Sequence, residues 1–175
     1  MLKFIGVALI LFAGTMIGFV QAARYAARPK QIRQLLHALQ RLETEISYGQ
    51  TPLPQALDRI AGAVPPPLSY LFKDIAGSLQ TETAHSGVTV KEIWGRAIVA
   101  RWPETAMRAP EQEALIRFGS TLGASGREDQ LKHIRLAMHQ LQAEEANARD
   151  DQQKYERLSR SLGALGAALI VILIV

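Results

Sequence analysis

The feature that most constrains this chain is the uncharged run from Phe4 to Ala23. It carries Phe4, Ile5, Val7, Leu9, Ile10, Leu11, Phe12, Met16, Ile17, Phe19 and Val20. A bilayer's hydrocarbon core is crossed by about 20 mostly apolar residues in helical form, because each adds about 1.5 Å of rise. Residues 1–23 therefore read as an N-terminal transmembrane helix. Charge returns at once as Arg24, Arg28, Lys30 and Arg33, a basic flank of the kind that stays on the cytoplasmic side. The other end repeats the pattern. Lys154, Arg157 and Arg160 precede a tail that is uncharged from Leu162 to Val175. At about 1.5 Å per residue the tail reaches about 21 Å, short of a core of about 30 Å. It spans only with residues from Leu158 onward and with Arg157 and Arg160 snorkelling, or else inserts half-way.

A cleaved signal peptide is the competing reading of the start. Val20-Gln21-Ala22 before Ala23 is a passable cleavage site. Against it stand the single basic residue before the run (Lys3), the length of the run, and the basic cluster behind it, which hinders export. Cleavage would leave an exported helical domain, tail-anchored and facing the intermembrane space as an assembly subunit. The chain has no Cys, so a lipoprotein anchor, disulfides and thiolate metal sites are excluded.

Between the ends the apolar spacing is helical. Ile32, Leu35, Leu36, Leu39, Leu42 and Ile46 form one stripe behind Pro29, which suits a first helical turn, and Gly49 closes the helix. Thr51 before Pro52 reads as the cap of a second helix, stopped by Pro65-Pro66-Pro67. A third carries Leu68, Leu71, Phe72, Ile75 and Leu79. Thr89 with Glu92 makes a capping box for a fourth, and Pro110-Glu111 opens a fifth that runs toward a left-handed Gly123. Ser125 with Glu128 predicts a second capping box and the longest helix. No period-two alternation is present. The expectation is all-α: a bundle of about six helices over 24–143, a solvated stalk over 144–160, and a C-terminal membrane helix over 161–175 that continues the last helix. Basic flanks on the inner side of both apolar ends place the bundle in the cytoplasm.

Small residues recur four apart at Gly14 and Gly18, and again at Gly163 and Ala167, a spacing that lets membrane helices approach closely. No chemistry emerges from the rest. Gly119, Gly123 and Gly126 lack the strand and Gly-Lys-Ser ending of a phosphate loop and read as helix-end glycines. His133 and His139 are six apart on a helix and fall on opposite faces. No serine or threonine has a nucleophile context. The basic cluster holds one aromatic, Tyr25, which argues against nucleic acid. The sequence predicts no cofactor, no metal and no catalysis.

Several separated blocks then converge on one family. They are Arg28-Pro29-Lys30-Gln31-Ile32-Arg33-Gln34-Leu35, Leu42-Glu43, Glu45-Ile46, Tyr48-Gly49, Thr51-Pro52-Leu53, Phe118-Gly119, Leu122-Gly123 and Lys132-His133-Ile134, with an apolar start and tail. Over nearly its whole length the chain resembles the stage III sporulation protein AB family of spore-forming Firmicutes. That family is similar in turn to the cytoplasmic helical domains of the type II secretion platform protein F and the type IV pilus platform protein. The resemblance implies a scaffold in the channel complex joining mother cell and forespore, in the outer forespore membrane with its bundle on the mother-cell side. It further implies a docked secretion-type ATPase, stage III sporulation protein AA, with the remaining channel proteins as further partners. Helix faces for self-packing and for partners look alike, so homo-oligomer formation stays open. The expected partner-binding residues are Glu43, Glu45 and Tyr48, and Arg127, Lys132, His133 and Arg135. Pairing within the bundle is an equal alternative for both groups.

Overall fold

In the computed structural model, backbone is described for residues 2–49, 51–82 and 87–174, and side chains for 23, 25–49, 51–82, 87–155 and 158. The elements are α1 (Leu2–Tyr48), α2 (Leu53–Ala61), α3 (Leu68–Glu82), α4 (Val90–Arg101), a 3₁₀ turn at Trp102–Glu104, α5 (Ala109–Gly119) and α6 (Arg127–Ile174). Among the described residues there is no strand, and six helices match the expected class. Here too no helix is long and apolar enough to cross a membrane. The two apolar ends expected as anchors, with the side chains of Arg24, Arg157 and Arg160 and the small residues Gly14, Gly18, Gly163 and Ala167, lie outside the described side chains.

The core grows from the stripes read in the sequence. Ile32, Leu35, Leu39 and Leu42 of α1 are buried with Leu57 of α2, Leu71, Phe72 and Ile75 of α3, Trp94 of α4, Leu115 and Phe118 of α5, and Ile134 and Leu141 of α6. A stripe of this kind has no stable home except against other stripes, so the helices close on one another. The long helices α1 and α6 pair, and the short ones follow in chain order, α2 on α3, α3 on α4, α4 on α5 and α5 on α6.

Ion pairs set the direction of the long pair. Arg28 meets Glu144 and Asp151, Arg33 meets Glu145, and Glu43 meets Arg135. One helix ascends as the other descends, so α1 and α6 are antiparallel. Tyr25 and Tyr155 stack with ring centroids 3.6 Å apart. The chain before Tyr25 and the chain after Tyr155 therefore leave the bundle at the same pole.

Four local expectations are corrected. Pro29 lies inside α1 rather than at its start, in a helix of 47 residues. An interior proline forfeits one backbone hydrogen bond, but its ring is buried here and helix-forming sequence lies on both sides. Thr51 does not cap α2; Pro52 occupies that position with no side-chain hydrogen bond. Ser125 does not cap α6, because its hydroxyl donates to the Thr121 carbonyl at 2.9 Å. The expected solvated stalk is packed in its first half. Ala148 is 1 % exposed, and Glu144, Glu145 and Asp151 are tied to arginines of α1 and the start of α5. Heptad counting misses this because carboxylates stand where a seam would carry leucines.

The Thr89–Glu92 capping box forms as read. The Glu92 backbone N–H donates to Thr89 Oγ1 at 3.3 Å and the Thr89 backbone N–H donates to Glu92 Oε2 at 3.0 Å. Thr89→Ala removes one half of it and is expected to cost about 1 kcal/mol. Chemical unfolding of the full chain in detergent micelles checks this.

Candidate functional site

The bundle has two unlike poles. At the pole from which the apolar ends leave, α1, α5 and α6 meet around Arg28, which is 4 % exposed. Its Nε donates to Glu111 Oε1 at 2.8 Å and its Nη2 to Glu144 Oε2 at 2.9 Å, while Nη1 lies 3.5 Å from Asp151. Glu111 is fully buried and also accepts the Arg108 backbone N–H at 2.8 Å. Arg108 pairs with Asp151 at 3.1 Å and sets its guanidinium 5.5 Å from the Tyr25 ring centroid. A planar fork with five donors suits this site, since one cation serves carboxylates from two helices. Sequence reasoning placed Arg28 among the membrane-flanking basic residues. In the structure its charge is paired inside the bundle. Lys30 is exposed, and Arg33 is half-exposed beside Glu145.

Along the flank, Glu145 receives both Arg33 at 2.9 Å and Arg149 at 2.7 Å. Partial burial pushes its carboxyl up, yet these two guanidinium bonds outweigh it and hold the group below the usual carboxylate range.

The opposite pole lies about 35 Å away, taking α1 from Tyr25 to Tyr48 at about 1.5 Å per residue. Here the end of α1, α2, the start of α4 and the α5–α6 connection surround a hollow of about 390 Å³. Leu42, Ile46, Leu53, Ala56, Val90 and Leu122 give it an aliphatic floor, and Glu45, Arg127 and Gln130 give it a polar edge. A second hollow of about 430 Å³ lies beside it over Val88, Thr89, Lys91 and Ser120. Gly49 and Gly123 reverse the chain at this pole with φ of 63° and 75°, a region that glycine enters without Cβ strain.

The seven residues expected to bind partners separate in space. Glu45 and Arg127 line the hollow. Tyr48, 75 % exposed, stands at the last position of α1 beside it. Glu43 and Arg135 pair with each other at 2.6 Å across α1 and α6. Lys132 is exposed, and His133 lies 3.5 Å from Asp129 on its own helix. Sequence reasoning missed Glu111 and the apolar lining of the hollow. The only signal for Glu111 was its place just inside a helix start, which says nothing of a partner 83 residues earlier. Among the described residues no group of three or more His, Cys, Asp or Glu is placed to hold a metal ion.

Fold and poles together define the class: a six-helix bundle with both terminal segments leaving one pole and an apolar hollow at the other. Comparison with known proteins gives the family. The model of the family described as stage III sporulation protein AB matches residues 3–175. The chain is 40 % identical over 174 residues to stage III sporulation protein AB of Bacillus subtilis (strain 168), covering 99 % of each chain. A solved structure of a stage III sporulation protein AB superposes with a TM-score of 0.68 at 40 % identity, over 73 % of this chain and 98 % of that one. The chain belongs to the stage III sporulation protein AB family.

Proposed function

We propose that this chain is a non-enzymatic, membrane-tethered platform of the mother cell–forespore channel, holding its bundle at the cytoplasmic face of the outer forespore membrane and docking a secretion-type ATPase there. One observation carries the reading: the antiparallel α1–α6 pair sends both apolar ends out of a single pole and leaves the hollow at the far one. A chain held by both ends on one side presents its other pole to whatever approaches from the aqueous side. Membership of a sporulation family supports the setting. The likeness to secretion platform proteins belongs to this proposal and rests on the bundle architecture.

The test uses the full chain in lipid nanodiscs. The sporulation ATPase is expected to co-migrate with loaded discs and not with empty ones. Equal retention on both, or on neither, counts against the platform reading. A reporter fused after Gly87 is expected to be active in the cytoplasm; activity only outside it would reverse the orientation.

A further inference from the structure

The two hollows at the far pole share Val90, Leu122 and Gly123, so they lie side by side as the two halves of a trough across the bundle end. Its floor is aliphatic, while its rim is electrically uneven. Arg127 stands at one hollow and Lys91 at the other, and among the described residues neither is within salt-bridge distance of a carboxylate; Glu92, next to Lys91, turns its carboxylate to the Thr89 backbone N–H. The one carboxylate on the lining, Glu45, already faces Arg59 at 3.5 Å. What remains is an apolar channel with a positive group toward each half. An exposed tyrosine, Tyr48, directly precedes Gly49 of the lining. Tyrosine is among the residues that most often anchor a protein interface.

Resting on the platform reading, we propose that this trough receives a segment of a partner protein in which one or two bulky apolar side chains lie between carboxylates. The apolar side chains would fill the floor left by the end of α1 and the α5–α6 connection. The flanking carboxylates would meet Arg127 and Lys91, which fixes the direction of the segment and rejects a basic one. Each hollow is near the small end of the range of about 300–1,000 Å³ that takes compact ligands. Side by side they suit a strip of chain rather than one enclosed molecule.

The chain has no cysteine, so Thr51→Cys, in the lining of the trough, gives a single attachment point for an environment-sensitive fluorophore on the full chain in micelles. The probes are a synthetic peptide with Leu and Phe flanked by Glu, and its counterpart with Lys in place of Glu. The acidic peptide is expected to saturate the signal, and the basic one to bind roughly tenfold more weakly, as expected for reversing rim charges. Arg127→Glu, with Lys91→Glu as a second exposed variant, is expected to erase or invert that preference while the helical circular dichroism stays unchanged. Equal binding of the two peptides, no saturation by either, or an unaltered preference in both variants overturns the proposal. So does a signal that changes on dilution without peptide, because the occupant is then a second copy of this chain. Unaltered peptide preference in the variants, with ATPase retention intact, removes the trough proposal and leaves the platform standing. Loss of ATPase retention with the peptide preference present removes the platform and leaves the trough.

Discussion

Arg28→Met is expected to lower the unfolding free energy of the full chain by about 3–5 kcal/mol. Methionine keeps most of the side-chain length, so little of that loss comes from a cavity. The loss comes from what the guanidinium leaves behind. Glu111 is fully buried and would keep only the Arg108 backbone N–H at 2.8 Å as a donor. A buried carboxylate left with one donor keeps its desolvation cost without the cation that offset it, and this disfavours the fold. Glu144 and Asp151 matter less, because their side chains are 25 % and 35 % exposed and water can replace the arginine. The double variant Arg28→Met with Glu111→Leu separates the two causes. It is expected to recover most of the loss, since a buried pair exchanged for apolar groups of similar size is close to neutral. Urea unfolding in micelles, followed by far-ultraviolet circular dichroism, reads both. A single variant that costs under about 1 kcal/mol would class Arg28 with ordinary surface pairs. A double variant weaker than the single one would show that packing, not charge, holds this pole together.

How far the sequence reached follows from the range of the interactions. The stripes of α1 to α5 and the Thr89–Glu92 box are local patterns, since one helical turn or one cap is visible within a few residues. Gly49 belongs here too, because a left-handed position at a helix end needs only the residues beside it; Gly123 is left-handed as read, but in the α5–α6 connection, since α5 already ends at Gly119. Three errors have a physical source in competition. Ser125 had the right spacing to Glu128, but its hydroxyl donates to the Thr121 carbonyl instead, and α6 begins at Arg127. Pro29 had the right chemistry for a first turn, yet the helix runs through it because residues on both sides favour helix. Glu144, Glu145 and Asp151 looked solvated because most of the charges that satisfy them are distant in sequence, Arg28 and Arg33 in α1 and Arg108 before α5. The trough was out of reach for the same reason. Its floor gathers residues from α1, α2, α4 and the α5–α6 connection, each of which alone reads as ordinary core. Of the expected partner-binding residues, Glu45, Tyr48 and Arg127 gather at the far pole, while Glu43 and Arg135 close the α1–α6 seam.

Gly119 shows what a local reading of glycine leaves out. It ends α5, as a helix-end glycine does, but its position is set by Trp94. A Cβ placed on Gly119 would sit 2.0 Å from Trp94 Cδ1 and 2.4 Å from Nε1. The indole has no room to retreat: it is fully buried, edge-on to Phe118 at 5.7 Å, and its Nε1 donates to the Leu115 carbonyl at 2.9 Å. Gly119→Ala is therefore expected to destabilise the fold by about 3 kcal/mol. That sum combines overpacking of about 1–3 kcal/mol with a buried N–H pulled from its acceptor at about 1–3 kcal/mol. Against it stands a gain of about 0.5–1 kcal/mol from replacing a helical glycine. Gly77 in α3 and Gly95 in α4 supply the control, because a Cβ at either meets nothing within 4 Å. Alanine there is expected to stabilise by about 0.5–1 kcal/mol, so one substitution changes sign with position. Unfolding midpoints of the three variants decide the matter. If Gly119→Ala were as harmless as Gly77→Ala, the packing of α4 against the end of α5 would have to be looser than the indole hydrogen bond allows.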